Sequence, residues 1–144
     1  MPNANPKECY AAGFGCEYNS RLTMSERLRF IEHAGKQVLL IDFGGCSHEE
    51  MFALLAELKA TIEEQPRDSV LTLADFHDAQ IDKAIATRMK EVLVFDRPYV
   101  KRSAWVGTES LPKVLYENFK HFSQRDFPTF SSREEALEWL VREP

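Results

Sequence analysis

Asp42, Asp75, His77 and Asp78 are the residues of this chain best suited to chemistry by type, with Cys46 and His48 close by. Carboxylates converging with an imidazole are what a Mg²⁺ site or a general acid/base pair requires. Plainer roles compete. An aspartate at a strand end ties down loop amides, and Asp78 is placed to cap the helix expected after it. Cys46-x-His48 with His77 supplies three zinc-type ligands, but no CxxC or HxxxH spacing supports that site. A helix N-terminus beside Cys46 would favour its thiolate. A small residue in a tight turn is the simpler role.

A second group is suited to anions. Gly107-Thr108-Glu109-Ser110 leads from a strand into a helix, where free backbone amides and a positive dipole end meet negative charge. It lacks the glycine spacing and the Lys-Ser/Thr ending of a phosphate loop. Just upstream, Arg97 and Lys101 offer charge and Tyr99 offers a hydroxyl and a stacking face. The competing explanation is a proline-terminated helix with a half-buried tyrosine. No GxSxG and no GxGxxG occurs, so a serine hydrolase or a Rossmann reductase has no support.

The elements that must position these residues are legible from periodicity. Leu28 to His33 alternates, with Leu28, Phe30 and Glu32 on one face; Ala34-Gly35 turns; Val38 to Phe43 is nearly all apolar. This reads as an antiparallel hairpin whose second strand is buried on both faces. Ser47-His48-Glu49-Glu50 is a capping box that opens a helix with a stripe at Met51, Leu54, Leu55, Leu58 and Ile62. Val70 to Phe76 is the third strand. Ile81, Ala84, Ile85, Met89 and Val92 form the next stripe, and Pro98 ends that helix. Ser103 to Gly107 is a short buried strand. Leu111, Val114, Leu115, Phe119 and Phe122 give a third stripe, with Pro112 tolerated in the first turn. Pro128 to Ser131 adds a last strand. Ser132-Arg133-Glu134-Glu135 is a second capping box, before a helix burying Ala136, Leu137, Trp139 and Leu140. The order ββαβαβαβα demands a mixed, mostly parallel sheet with helices packed on it. In such a sheet ligands bind at the strand carboxyl ends, where Asp42 and Asp75 fall.

Composition bounds the rest. A chain of 144 residues, 44% hydrophobic and 28% charged, fits one compact domain. Residues 1–23 lack any period and read as a tail, disordered or loosely docked through Tyr10, Phe14 and Tyr18; the domain spans 24–144, and Met24 offers an alternative start. A net charge of −5 argues against nucleic acid as the partner. The charge is uneven: Ser47 to Glu64 is acidic, Arg97 to Arg125 basic, a pattern that suits solvated helix faces or an anionic ligand or acidic partner. Cys9, Cys16 and Cys46 are too few and too irregular for a disulfide framework, and their odd number favours a reducing compartment. No run approaches the roughly 18 apolar residues of a membrane span, and no secretory signal opens the chain, so the cytoplasm is expected.

RLRFIEHAGKQVLLIDFGG, EQPRDSVLTLADFHDAQID, RPYVKRSAWVGTESLPKVLYENF and FPTFSSREEALEWL together resemble the STAS/SEC14-like (SpoIIAA-like) family of small bacterial domains. The resemblance covers about Met24 to Val141 and is most specific at Pro98 to Gly107 and in the final EEAL-x-WL element. It implies a compact α/β fold and no established enzymatic activity. In anti-sigma factor antagonists of similar fold, a serine in the loop after the third strand is the phosphorylated switch. Here that loop reads Ala74-Asp75-Phe76-His77-Asp78-Ala79, without a hydroxyl, so Asp75 is left to imitate a fixed negative charge.

The expectation is a non-enzymatic binding or regulatory module, without a cofactor, docking a protein partner or small ligand at the strand carboxyl edge. Asp42, Asp75, His77, Tyr99 and Lys101 mark the candidate surface. A homodimer is compatible with a small sheet domain, though no feature demands it. The alternatives are a small enzyme using Asp42, Asp75 and His77, and a binder of an apolar or lipid ligand held between helix and sheet.

Overall fold

The computed structural model describes residues 22–142. The expectations for residues 1–21, including the docking of Tyr10, Phe14 and Tyr18 and the incidental thiols Cys9 and Cys16, lie outside the described residues.

A one-turn helix α1 (Met24–Arg27) precedes the hairpin, and the sequence pattern had not shown it. Thr23 caps it: the Thr23 hydroxyl accepts from the Glu26 amide, and the Glu26 carboxylate accepts from the Thr23 amide. Strands β1 (Leu28–His33) and β2 (Lys36–Asp42) then pair antiparallel around Ala34-Gly35, whose φ angles of 52° and 82° suit a two-residue hairpin turn. Helix α2 (His48–Glu63), β3 (Val70–Asp75), α3 (Lys83–Asp96) and β4 (Val100–Val106) follow. A 3₁₀ turn at Thr108–Ser110 leads to α4 (Lys113–Ser123), then β5 (Thr129–Phe130) and α5 (Arg133–Val141).

The five strands lie in the order β1-β2-β3-β4-β5, antiparallel at β1/β2 and parallel elsewhere. From β2 onward each strand is laid beside the last in chain order, so right-handed crossovers put every connecting helix on one face. Helices α2 and α3 bury Met51, Leu54, Leu55, Leu58, Ile62, Ile85 and Met89 there, and Phe119 of α4 joins them. Trp105 centres an aromatic cluster on this face: its ring stacks on Phe127 at 4.4 Å and meets Phe76 at 4.5 Å. Helix α5 comes after the last strand and folds back over the other face, where Ala136 and Leu140 pack on Val38, Leu40, Leu71, Leu73, Ala104 and Val106. The sheet is thus covered on both sides, which is why its central strands read as unbroken apolar runs.

Several expectations are corrected. The N-cap of α3 is Asp82, whose side chain accepts from the Ile85 amide; Asp78 instead takes a left-handed turn conformation at φ 57°. Strand β4 begins at Val100 rather than Ser103, so Lys101 is a strand residue and Tyr99 precedes the strand. In α4 the expected stripe is only partly buried: Val114 is 67% and Phe122 54% exposed, because the helix lies at the margin, against α3 and the Trp105 cluster. Ala84 also faces outward, and Phe30, on the edge strand β1, is 40% exposed. At α5 the Ser132 hydroxyl accepts from the Glu135 amide, but the Glu135 carboxylate reaches back to the amide and hydroxyl of Ser131 rather than to Ser132.

Candidate functional site

The register that pairs β2 with β3 sets Asp42 opposite Asp75, so two carboxylates stand side by side where the strands end. Each is pinned by the loop that follows it. Asp42 Oδ1 accepts from the Gly44 amide at 2.8 Å, and Asp75 Oδ1 accepts from the His77 amide at 2.9 Å. Their outward oxygens meet one guanidinium: Arg133 Nε donates to Asp75 Oδ2 at 2.7 Å and Nη2 donates to Asp42 Oδ2 at 3.1 Å. Burial works against the charge on Arg133, but the hydrogen bonds and charges of Asp75 and Asp42 outweigh it and hold the pKa above its usual value. The triad is a closed ion-pair cluster. Asp75 is therefore no exposed mimic of a phosphoserine: it is buried and answered by a cation.

Arg27 supports the same edge from below. It is 1% exposed and donates to the carbonyls of Asp42 at 3.0 Å and Gly44 at 2.7 Å. The loop after β3 is clamped from both sides. Asp78 N donates to Ser110 Oγ at 3.1 Å, and the backbone of Gly45 donates to Asp78 O at 3.4 Å. Space is so tight that a Cβ on Gly44 would stand 2.6 Å from His77 O, and one on Gly107 2.5 Å from His77 N.

The candidate residues separate into two places. Asp42, Asp75 and His77 share the carboxyl edge, but the His77 ring turns outward, with Nε2 3.1 Å from Asp78 Oδ2. Tyr99 and Lys101 lie at the amino end of β4, the opposite edge of the sheet, because β4 runs parallel to β2 and β3 and these residues enter the strand rather than leave it. Cys46, His48 and His77 do not form a ligand set: His48 Nδ1 pairs with Asp82 Oδ2 at 2.8 Å, and among the described residues no three His, Cys, Asp or Glu side chains could hold a metal. Burial pushes the Cys46 thiol up to about 11 despite the nearby Arg27 charge, so it is protonated at neutral pH and a poor nucleophile. Between the first turns of α2 and α3 runs an open groove of about 380 Å³, lined by Cys46, Ser47, His48, Gln80, Ile81 and Asp82.

Between the helices and the sheet the core leaves a gap of about 30 Å³, walled by apolar side chains and by Thr72, Asp96, Ser103 and Arg125. That is room for about one or two waters and far too little for an acyl chain. Arg125 donates to Ser103 Oγ at 2.6 Å and to Leu93 O at 3.1 Å, while Asp96 Oδ1 is buried without a hydrogen-bond partner among the described residues.

Arg133 and Arg27 are the site residues that sequence reasoning missed. A signal existed for Arg133: a cation in the first turn of a helix opposes the helix dipole, and a residue breaking that rule is answered by a tertiary partner.

A mixed five-stranded sheet, with three helices on one face and a fourth returning over the other, defines a small α/β domain whose parallel strands end in an ion-pair cluster. The SpoIIAA-like family model matches residues 38–141, and the chain belongs to that family, whose domains are typically regulatory or binding modules. Neither the curated proteins nor the solved structures yield a match. Among the described residues no helix is long and apolar enough to cross a membrane.

Proposed function

We propose that this domain is a non-enzymatic regulatory module of the cytoplasm that docks a protein partner at the strand carboxyl edge. The contact surface is the groove between the first turns of α2 and α3, with the His77 ring on the same edge. One observation carries the reading: all four carboxylate oxygens of Asp42 and Asp75 accept hydrogen bonds from Arg133, Gly44 or His77. A general base or a metal ligand must face its substrate or ion, whereas these two carboxylates, 17% and 11% exposed, are turned to Arg133 and the loop amides and hold the edge in place. The enzyme alternative thus draws no support from its own residues. A binder of apolar molecules draws none from a gap of about 30 Å³. Rigid loops beside an open groove are what a preorganised docking surface needs.

Asp75 is unsuitable for testing this surface, since changing it would break the cluster beneath. The exposed residues serve better. Gln80→Arg and His77→Glu should strip partners from the protein in pulldowns from native lysate, while Arg88→Glu on the solvent face of α3 should not. Identical profiles across all three variants would remove the carboxyl edge from consideration.

A further inference from the structure

The last strand is too short to cover its neighbour. β5 pairs with β4 only at Trp105 and Val106, so among the described residues no strand lies on the outer side of β4 from Val100 to Ala104. The alternation of a parallel ladder says where the uncovered groups point. Trp105 N donates outward to Pro128 O, and Val106 O accepts inward from Phe76 N. Ser103, two residues before Trp105, therefore turns its N–H and C=O to the same outer side, on the floor of the edge at 4% exposure, and a bulge at Lys101, between the partners of Val70 and Leu71, interrupts the alternation there. A groove of about 280 Å³ follows it, between Arg125, Asp126 and Pro128 on one side and Trp139 of α5 on the other. A second groove of about 280 Å³, lined by Lys36, Ser69 and Arg142, joins it through Lys101 and Arg102.

The two grooves together are lined by six cationic residues, Lys36, Arg97, Lys101, Arg102, Arg125 and Arg142, and one acidic residue, Asp126. Asp126 already has Lys120 at 3.6 Å. This concentration occurs on a chain of net charge −5. Arg102 and Arg125 are committed inside, to the carbonyls ending α5 and to Ser103. Arg97, Lys101 and Arg142 are exposed.

We propose that the open edge of β4 receives an extended acidic segment of a partner protein, which adds a strand beside Val100–Ala104 while its carboxylates meet Arg97, Lys101 and Arg142. Main-chain hydrogen bonds supply affinity in this mode and the flanking side chains supply selectivity. A lysine on an edge strand also serves to keep unwanted strands away. The two roles predict different behaviour toward charge: a guard rejects strands generally, whereas a docking edge accepts acidic ones and rejects basic ones. The site lies at the end of the sheet opposite the α2/α3 groove and stands or falls independently of it.

The probe is a capped, fluorescein-labelled peptide, Glu-Val-Glu-Thr-Glu-Val-Glu-Thr, titrated into the full chain at low salt, with its Lys-for-Glu counterpart as control. The expected result is saturable anisotropy for the acidic peptide alone, weakening about tenfold with Arg97→Glu plus Lys101→Glu and falling as salt rises. Amide exchange read by NMR should slow at Ser103 when peptide binds. Equal binding of the basic peptide, no saturation by about 1 mM, or binding without added protection at that amide would each overturn the proposal. So would protection already present without peptide, whether it vanishes on dilution (a second copy on the edge) or on removal of residues 1–21.

Discussion

Asp42 and Asp75 end adjacent strands as Cα partners, and a single guanidinium, that of Arg133, joins their carboxylates across the sheet's carboxyl edge. Two like charges in register repel unless something answers both, so Arg133 turns what could be a destabilising pair into a brace. It also ties α5 on one face of the sheet to loops that lead to helices on the other.

Replacing Arg133 with Met should therefore cost about 1–3 kcal/mol, towards the lower end because water screens a side chain 40% exposed. The decisive comparison is with Asp42→Asn and Asp75→Asn added in the Arg133→Met background. Removing the stranded charges should recover part of the loss in urea unfolding, a coupling that independent sites would not show. Additive changes would mean that the cluster does not act as a unit.

Gly107 should be far less replaceable than Gly35, although both have positive φ. Each Ala variant pays for the left-handed backbone, about 1 kcal/mol. At Gly35 the new Cβ meets nothing within 4 Å, whereas at Gly107 it meets His77 N at 2.5 Å. Gly107→Ala should thus lose about 1–2 kcal/mol more than Gly35→Ala and shift the His77 amide resonance. Equal losses would show that the loop has room to yield.

Those two glycines also show what the sequence reveals and what it hides. Gly35 was readable as a turn, because hairpin chemistry is local and follows a strand pattern. Gly107 was readable as a strand end, but its close approach to His77 depends on two loops that meet only in the folded sheet. The same division runs through the site. The stripe Met51, Leu54, Leu55, Leu58 and Ile62 is buried as its spacing predicts, since α2 covers the middle of the sheet. The stripe of α4 is not, since a helix at the margin has only part of one side to bury. Asp42 and Asp75 were found because strand ends are visible, whereas Arg133 lies 58 residues beyond Asp75 and nothing local requires it to come back. Tyr99 and Lys101 were grouped with them on residue type, and the parallel direction of β4, which they enter rather than leave, separates them.

Arg102 makes a case for geometry over charge. Its Nη1 donates to the carbonyls of Trp139 and Arg142, each at 2.8 Å, and the guanidinium lies 4.4 Å from the Trp139 ring centroid. Carbonyls at the end of a helix lack the usual amide four residues on, and among the described residues Trp139 O has, besides Arg102, only the Arg142 amide at 3.3 Å. Arg102→Lys keeps the charge but loses the planar face over Trp139, so it should destabilise by about 1 kcal/mol or more and speed amide exchange in the last turn of α5. If lysine matches arginine, charge at the helix end is sufficient and the stacked guanidinium adds nothing.

Asp96 gives the pH dependence a definite direction. Burial raises its pKa from 3.8 to about 7, against the pull of the Arg125 charge, and Arg125 is itself lowered by burial to about 10. A carboxyl with a raised folded-state pKa binds its proton more tightly folded than unfolded, so it favours the fold in acid and that contribution drains away as pH rises. The loss should begin near pH 4, where the unfolded chain ionises, and finish near pH 7, where the folded one does. Asp96→Asn keeps the shape and removes the titration. Relative to wild type it should gain stability steadily across that window, by up to about 4 kcal/mol, a ceiling because Asn leaves the Arg125 charge without its carboxylate neighbour. Urea unfolding of both proteins at half-unit steps from pH 4 to 8 reads the difference directly. Curves that run parallel would mean that Asp96 stays ionised in the fold, answered by Arg125 after all.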